Sequence, residues 1–339
     1  MKNENVLLSI ICTAYNHEKF IKSTIEGFLK QKTNFKFEIL IHDDASTDNT
    51  ATIIKEYEGK NKDLIKVVYQ KENKYSKGLS PTIFLLEKAQ GKYLAFCEGD
   101  DYWIDDNKLQ KQVDFLEKNK NYYATYHNVF MIDENEKELK ELQSLYYPLY
   151  KSHNIEKRNP RIGFISGQTA SIVSRNFYSY LLEKGINWNS YKCNGDAKLA
   201  TLFYCLGEIF YFEDIMSCYR RTYNTTSWNS RNKGKNLSEY NYNSCFELKK
   251  MVKDILGKDI EIEESLLDKL YLSLKFYFSY PTKENLIIFL KLLKKDKEYY
   301  PFLKYMVKKI CRVILKKIGL MTSEQEKLKI IEEELWKKI

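Results

Sequence analysis

Proline is scarce in this chain: five in 339 residues, with 13 glycines and no low-complexity block. That excludes collagen-like and linker-like polymers. Cysteine occurs seven times, scattered singly and never as a C-x-x-C pair. An odd, dispersed set argues against a zinc ribbon and against a secreted disulfide framework, and for a reducing compartment. No run of about 18 apolar residues free of charge exists, so no segment reads as a membrane span. Met1-Lys2-Asn3-Glu4-Asn5 leads straight into an apolar run, and no signal peptide is expected. Glycine is also missing from Thr13–His17, where a dinucleotide-binding turn would need it, and no P-loop run occurs anywhere. A nicotinamide dehydrogenase and a P-loop enzyme are therefore not expected.

What is present suits a folded enzyme. Hydrophobic residues make up 43% and charged residues 30%, enough for a sizeable core in a chain of this length. At about 150 residues per domain, roughly two domains are expected. The net charge of +9 is uneven: residues 233–339 carry 23 Lys+Arg against 16 Asp+Glu, and the first 232 carry 32 against 30. A nucleic-acid binder concentrates basic charge on its recognition element. Here the surplus lies in a C-terminal helical region, and nucleic acid is not an expected partner.

The first hundred residues alternate strand and helix signals. Val6–Cys12, Phe37–Ile41, Ile65–Tyr69 and Tyr93–Cys97 are short apolar runs of the kind buried on both faces of a sheet. Helical spacing separates them: Glu18–Leu29, a segment through Tyr57 with N-cap chemistry from Ser46-Thr47-Asp48, and a segment opened by Ser80-Pro81. This βα order predicts a parallel sheet with helices on both faces, and ligands at the carboxyl ends of its strands. Lys108–Leu116 continues as helix and Tyr122–Met131 as strand. Residues 132–160 show no period and read as an irregular insertion. Gly195–Leu206 is helical, and Glu208–Phe212 and Ile215–Arg221 are extended. From about Leu237 onward the pattern is helical, with breaks at Pro281 and Pro301. The expected boundary lies near 232. It separates a catalytic domain, 1–232, from an all-α region, 233–339. Within the former, a donor half spans about 1–125 and an acceptor half about 126–232.

The strand ends hold the chemistry. After the first strand, Thr13 and Tyr15 offer a hydroxyl and a ring face for a base, although, taken alone, capping by Thr13 and packing by Tyr15 is the favoured reading. After the second, Asp43-Asp44 is more specific, and Asp44 is the stronger candidate for accepting from a base or ribose. After the fourth, Glu98-Gly99-Asp100-Asp101 places three acids in four residues. Their mutual repulsion calls for a cation, and hard oxygen donors suit Mn²⁺ or Mg²⁺ shared with phosphate. Gly99 is expected to let a ligand approach the backbone. The alternative is a solvated acidic turn.

Ile10-Ile11-Cys12-Thr13-Ala14-Tyr15-Asn16, Asp43-Asp44-Ala45-Ser46-Thr47-Asp48 and Glu98-Gly99-Asp100-Asp101-Tyr102-Trp103 together resemble the signature series of family 2 glycosyltransferases. The likeness covers about residues 6–125, with Lys108–Gln112 as its continuation. It implies an α/β GT-A fold with a mostly parallel sheet, followed here by the all-α region. It implies an inverting transfer from a nucleotide-sugar donor, most readily a UDP-sugar, to a hydroxyl of a glycan or lipid-linked acceptor in bacterial surface polysaccharide synthesis. It places Thr13, Tyr15, Asp44, Glu98, Asp100 and Arg220 at the donor, Asp101 on a divalent metal, and Asp196 of Asn194-Gly195-Asp196 as base. An acid at a helix start is otherwise a common dipole partner. The segment 162–174 resembles the acceptor side, with Ser166, Gly167 and Thr169. In Tyr219-Arg220-Arg221-Thr222, Thr222 stands where the family often has histidine, and Arg220, Arg221 or Asn224 is expected on the diphosphate instead. His17, His42, His127 and His153 are read as structural.

The stretch 301–320 holds six Lys or Arg and no acid, interleaved with apolar residues. It fits peripheral contact with the inner face of the plasma membrane as well as packing on the catalytic domain. The expected location is cytoplasmic. Two rivals remain from sequence: a non-catalytic nucleotide-sugar-binding scaffold and a sugar nucleotidyltransferase.

Overall fold

The computed structural model describes residues 5–155, 167–222, 235–260, 262–295 and 305. The expected order opens the chain: β1 (Leu8–Ala14), α1 (Ile21–Leu29), β2 (Phe37–Asp43), α2 (Thr50–Lys60), β3 (Ile65–Tyr69), α3 (Pro81–Leu86) and β4 (Tyr93–Glu98). Then come β5 (Tyr102–Trp103), α4 (Lys108–Lys118), β6 (Tyr122–Ile132), α5 (Lys140–Tyr146), β7 (His153–Ile155), β8 (Val173–Arg175), α6 (Tyr178–Glu183), α7 (Gly195–Leu206) and β9 (Glu208–Arg220). The described strands form one sheet in the order β3-β2-β1-β4-β8-β6-β9-β5, with β7 also paired to β9. The β3-β2-β1-β4 half is parallel throughout. Direction reverses at β8, antiparallel to both β4 and β6, while β6 and β9 run parallel. The register aligns Thr13 with His42 on one side and Glu98 on the other. Three strand ends therefore finish at one level.

The core explains the order. Leu8, Ile10, Cys12, Ile39, Ile41, Tyr93, Ala95 and Cys97 are buried in one cluster with Ile21, Ile25 and Phe28 of α1 and Leu109, Val113 and Leu116 of α4. The α1 spacing of i, i+4 and i+7 puts those three on a single stripe. Burying each such side chain contributes about 1.5–3 kcal/mol. Gly91 is required by contact: a Cβ there would lie 2.4 Å from the backbone nitrogen of Ser9.

Two expectations change. The insertion at 132–160 is not wholly irregular, since it contains α5 and β7. The buried Gln143 makes this possible. Its Oε1 accepts from the Met131 N–H and its Nε2 donates to the Val129 carbonyl, so polar contacts replace the apolar period that was sought. The two extended segments at 208–221 are one strand, β9, whose pairing with β6 carries register shifts.

The described residues divide into two compact units, Met1–Lys233 with Glu247–Ile260, and Gly234–Phe246 with Glu261–Ile339. Three helices follow β9: α8 (Ser238–Leu256), α9 (Glu263–Ser279) and α10 (Lys283–Lys295). In the second unit α9 packs on α10. In the first, the Tyr180 and Tyr191 hydroxyls donate to the Ile255 carbonyl and Asp254 carboxylate of α8. Apart from Tyr305, the basic stretch 301–320 lies outside the described residues, as do Ser166, Asn224 and the expected boundary near 232. No described helix is long and apolar enough to cross a membrane.

Candidate functional site

The turns after β1 and β2 are sewn together. Asn16 Oδ1 accepts from the Thr47 N–H at 2.8 Å, and Ser46 Oγ accepts from the Asn16 N–H. Thr50 Oγ1 and Asp48 Oδ2 accept from the His17 and Glu18 N–H groups. Asp48 Oδ1 also accepts from the Thr50 N–H, but Ser46 faces the neighbouring turn and does not cap α2. Asn16 and Ala45 sit at φ of 56° and 61°, left-handed conformations that cost energy in residues other than glycine. The cross-links hold them there.

Within this frame the two adjacent acids behave differently. Asp44, 2% exposed, accepts from the Lys74 and Tyr75 N–H groups at 2.7 and 3.0 Å. Both oxygens are used to fix the loop after β3. Asp43 is equally buried, yet its Oδ1 has no partner, and its contacts are with Ser46, whose N–H donates to Oδ2 over a long 3.4 Å. Burial pushes its carboxyl above the usual range. Asp44 is thus engaged with the loop after β3, whereas one Asp43 oxygen is left without a partner. Thr13 and Tyr15 are half-buried beside it, and Tyr15 makes no ring contact with a described aromatic.

The acidic turn after β4 is held from behind. The Gly99 N–H donates to the Thr13 carbonyl, and buried Thr24 of α1 donates to the Asp101 carbonyl at 2.6 Å. Asp101 is 1% exposed; its Oδ1 accepts from the Arg220 N–H at 2.8 Å and its Oδ2 from Gln168 Nε2 at 2.6 Å. Arg220 differs from expectation. Its guanidinium donates to the Asp100 and Asp133 carbonyls and to Glu136, and lies over the Phe20 and Tyr102 rings. It clamps the turn from behind, with three of its five N–H donors used there. Gly99 also differs. A Cβ there would meet His17 Nδ1 at 2.8 Å and the Ala14 and Ile21 side chains near 3 Å, so the missing side chain serves packing and not ligand approach.

Glu98, Asp100 and Asp101 each present a carboxylate oxygen within 4.8 Å of the others. Asp101 is enclosed, Asp100 half-buried and Glu98 open to solvent. Asp196 stands opposite, in the first turn of α7. Its Oδ1 accepts from Thr169 Oγ1 at 2.9 Å, and Asn194 caps the helix through the Ala197 N–H. Desolvation raises the Asp196 carboxyl. The Glu98 carboxyl is also raised: desolvation is the first cause, although the residue as a whole keeps solvent exposure, and the charge of Asp196 is next, ahead of Asp100 and Asp101. Asp101 is raised by burial and then by Asp100. Acids a hundred residues apart therefore share one field. This set of close, hard, under-compensated oxygens fits a divalent cation.

Two further residues enter the electrostatics here: His17, which sequence read as structural, and Tyr147, which it did not single out. His17 Nε2 lies 3.9 Å from Asp100 Oδ2. Tyr147, from the insertion, has its phenol pKa raised by burial and then by Asp196, Asp101 and Glu98 in turn. His17 was findable from its place at a strand end; Tyr147 had no periodic signal around it.

Residues 9–180 match the model of glycosyl transferase family 2. The UDP-Glc:alpha-D-GlcNAc-diphosphoundecaprenol beta-1,3-glucosyltransferase WfaP of Escherichia coli is 37% identical over 126 residues, 37% of this chain and 47% of that one. The chain spans between 36% and 49% of the length of the curated relatives it matches. Among solved structures, Staphylococcus aureus TarS 1–349 in complex with UDP aligns with a TM-score of 0.59 at 18% identity, covering 90% of this chain and 82% of that one. The mannosyltransferase PcManGT of Pyrobaculum calidifontis, in complex with GDP-Man and Mn²⁺, aligns at 0.51 and 13% identity, covering 98% and 84%. These likenesses agree with the expected GT-A fold and its helical C-terminal region.

Proposed function

The chain belongs to glycosyl transferase family 2, and on that premise we propose that it transfers a sugar, with inversion, from a nucleoside-diphosphate donor to a hydroxyl of a glycan or lipid-linked acceptor in bacterial surface polysaccharide synthesis. The supporting observation is the cluster of Glu98, Asp100 and Asp101 at the end of β4, with Asp101 held by Gln168 and Asp196 held by the adjacent Thr169. The UDP held by TarS and the UDP-glucose named for WfaP favour a UDP-sugar, and the acceptor named for WfaP favours a lipid-linked one. The reaction then belongs on the cytoplasmic side, at or near the inner membrane face.

Each residue has a task in this reading. Tyr15 stacks on the base, and Thr13 and the unused Asp43 oxygen take hydrogen bonds from it. Asp44 keeps the neighbouring loop in place. Glu98 and Asp100, with Asp101 anchored behind them, would hold a Mn²⁺ or Mg²⁺ ion. Such an ion supplies Lewis-acid neutralisation of a departing diphosphate. Asp196, oriented by Thr169, accepts the proton of the attacking hydroxyl. Attack opposite the leaving group gives inversion in a single displacement.

The test uses the full chain with Mn²⁺ and a panel of UDP-, GDP- and dTDP-sugars. One nucleotide should raise the melting temperature and release its diphosphate when acceptor is present. If none of them stabilises the protein, this reading is wrong.

A further inference from the structure

Gln168 and Thr169 are consecutive residues whose side chains reach two different acids. Gln168 Nε2 donates to Asp101 Oδ2 at 2.6 Å, and Thr169 Oγ1 donates to Asp196 Oδ1 at 2.9 Å. The backbone here is fastened without these bonds. In the 3₁₀ turn Thr169–Ser171, the Ser171 N–H and Oγ both donate to the Gln168 carbonyl, and Trp103 Nε1 donates to the Ala170 carbonyl. Just before it, Gly167 lies so close to Tyr126 that a Cβ would come within 2.6 Å of the ring. The two side chains are therefore left to serve the acids.

Gln168 is buried, and its neighbours decide which way its amide faces. The Ala170 N–H can only donate, so it takes Oε1; an ionised Asp101 can only accept, so it takes Nε2. With the Arg220 N–H on Oδ1, the Asp101 carboxylate is held at both oxygens. Thr169 occupies Oδ1 of Asp196, and Oδ2 is the oxygen that would take the proton of the attacking hydroxyl. The path from the acidic turn to the base is two hydrogen bonds joined by one peptide link. Transfer depends on that span, because displacing reacting groups by about 1 Å costs about a hundredfold in rate. We propose that Gln168 and Thr169 are positioning residues that tie the cation-holding turn to the base, so that Asp101 and Asp196 keep one separation during transfer. The assignment rests on the function proposed above and adds the part that joins its two ends.

The test measures turnover of UDP-, GDP- and dTDP-sugars at saturating Mn²⁺, with water or a GlcNAc-diphosphate lipid as acceptor. Calorimetry beside it reads Mn²⁺ affinity in the presence of the nucleotide that binds. Thr169→Val should lower kcat about tenfold, one hydrogen bond to a charged group. Its donor KM and Mn²⁺ affinity should stay within about twofold of wild type. Thr169→Ser, which keeps the hydroxyl, should recover most of the lost kcat. Gln168→Met should lower kcat by a similar factor and weaken Mn²⁺ binding about tenfold. Either change cuts the same link, so the double variant should lose clearly less kcat than the product of the two single losses. A full product would make the residues independent and overturn the link; so would wild-type kcat in Thr169→Val, and the site reading would stand in both cases. If Gln168→Met does not fold, the contrast between Thr169→Val and Thr169→Ser decides alone. Wild type that binds no nucleotide with Mn²⁺, or binds one and turns over no donor, would remove both readings.

Discussion

The two acidic turns at the carboxyl edge use the same residue type in opposite ways. After β2, carboxylates meet backbone N–H groups: Asp44 holds the loop after β3, and Asp48 holds the turn after β1. After β4, Asp101 is held by the Arg220 N–H and Gln168, and Glu98 and Asp100 lie against it and each other. A carboxylate with two good donors is satisfied without a ligand. A buried group of acids is stabilised by a cation or by protons. By donor count Asp44, Asp48 and Asp101 hold the framework, and Glu98, Asp100 and the unpartnered Asp43 oxygen are the acidic positions proposed to meet a ligand.

The sharpest break in that comparison comes from Asp196→Asn. Loss of the base should reduce transfer by about 10²–10⁴-fold and leave nucleotide affinity nearly unchanged. Steady-state kinetics beside nucleotide titration reads both quantities. Equal loss of nucleotide binding would move Asp196 from the reaction to the donor.

Asp44→Asn should cost about 1 kcal/mol of stability, since the amide can accept from only one of the two part-buried N–H groups that Asp44 holds. Urea unfolding measures this. Asp43→Asn should leave stability nearly unchanged and weaken nucleotide binding about tenfold, one charge-assisted hydrogen bond's worth. The reverse pattern would restore Asp44 as the nucleoside contact.

The reasons why sequence foresaw one turn better than the other are physical. Buried parallel strands declare themselves as unbroken apolar runs, so β1 to β4 were legible, and with them the level at which ligands meet the sheet. Asp196 was legible from its place at a helix start within the family resemblance. Hydrogen-bond partners are not legible, because they depend on residues distant in the chain. Asp44 is satisfied from residues 74 and 75, and Asp101 from residues 168 and 220. Arg220 looked free for the same reason. Tyr147 was hidden because its placement comes from one amide, Gln143, in a segment without a period.

The raised carboxyls give a pH prediction of fixed sign. A carboxylate whose folded pKa exceeds its unfolded value binds more protons when folded. It therefore destabilises the cation-free protein progressively as pH rises above the ordinary glutamate range. Glu98→Gln should raise the cation-free melting temperature near neutral pH, by about 2 °C, and reduce the further rise that Mn²⁺ gives wild type. Differential scanning fluorimetry at pH 5 and pH 7.5, with and without Mn²⁺, tests it. A variant that melts lower without metal at pH 7.5 would place Glu98 with the satisfied carboxylates.

Lys108 provides the matching case away from the acidic crevice. It is fully buried in α4, with Nζ 2.8 Å from Gln112 Oε1 and 4.3 Å from the centroid of the Trp103 ring. Burial lowers its amine to about 7, and the nearby Cys97 and Asp105 only partly oppose this. Between that value and the ordinary lysine value the folded chain binds fewer protons than the unfolded one. Lys108 should therefore make stability rise with pH from about 7 toward 10. Lys108→Met removes that contribution. It leaves Gln112 Oε1 without this donor but removes the cost of burying the amine, so the variant should be no less stable than wild type at pH 7. Urea unfolding at pH 6, 8 and 9.5 should show a shallower pH dependence in the variant and unchanged nucleotide affinity. Parallel stability curves would mean that the amine stays charged inside the core. A buried charge would then be no guide to function in this fold, and the contrast between the two turns would lose its meaning.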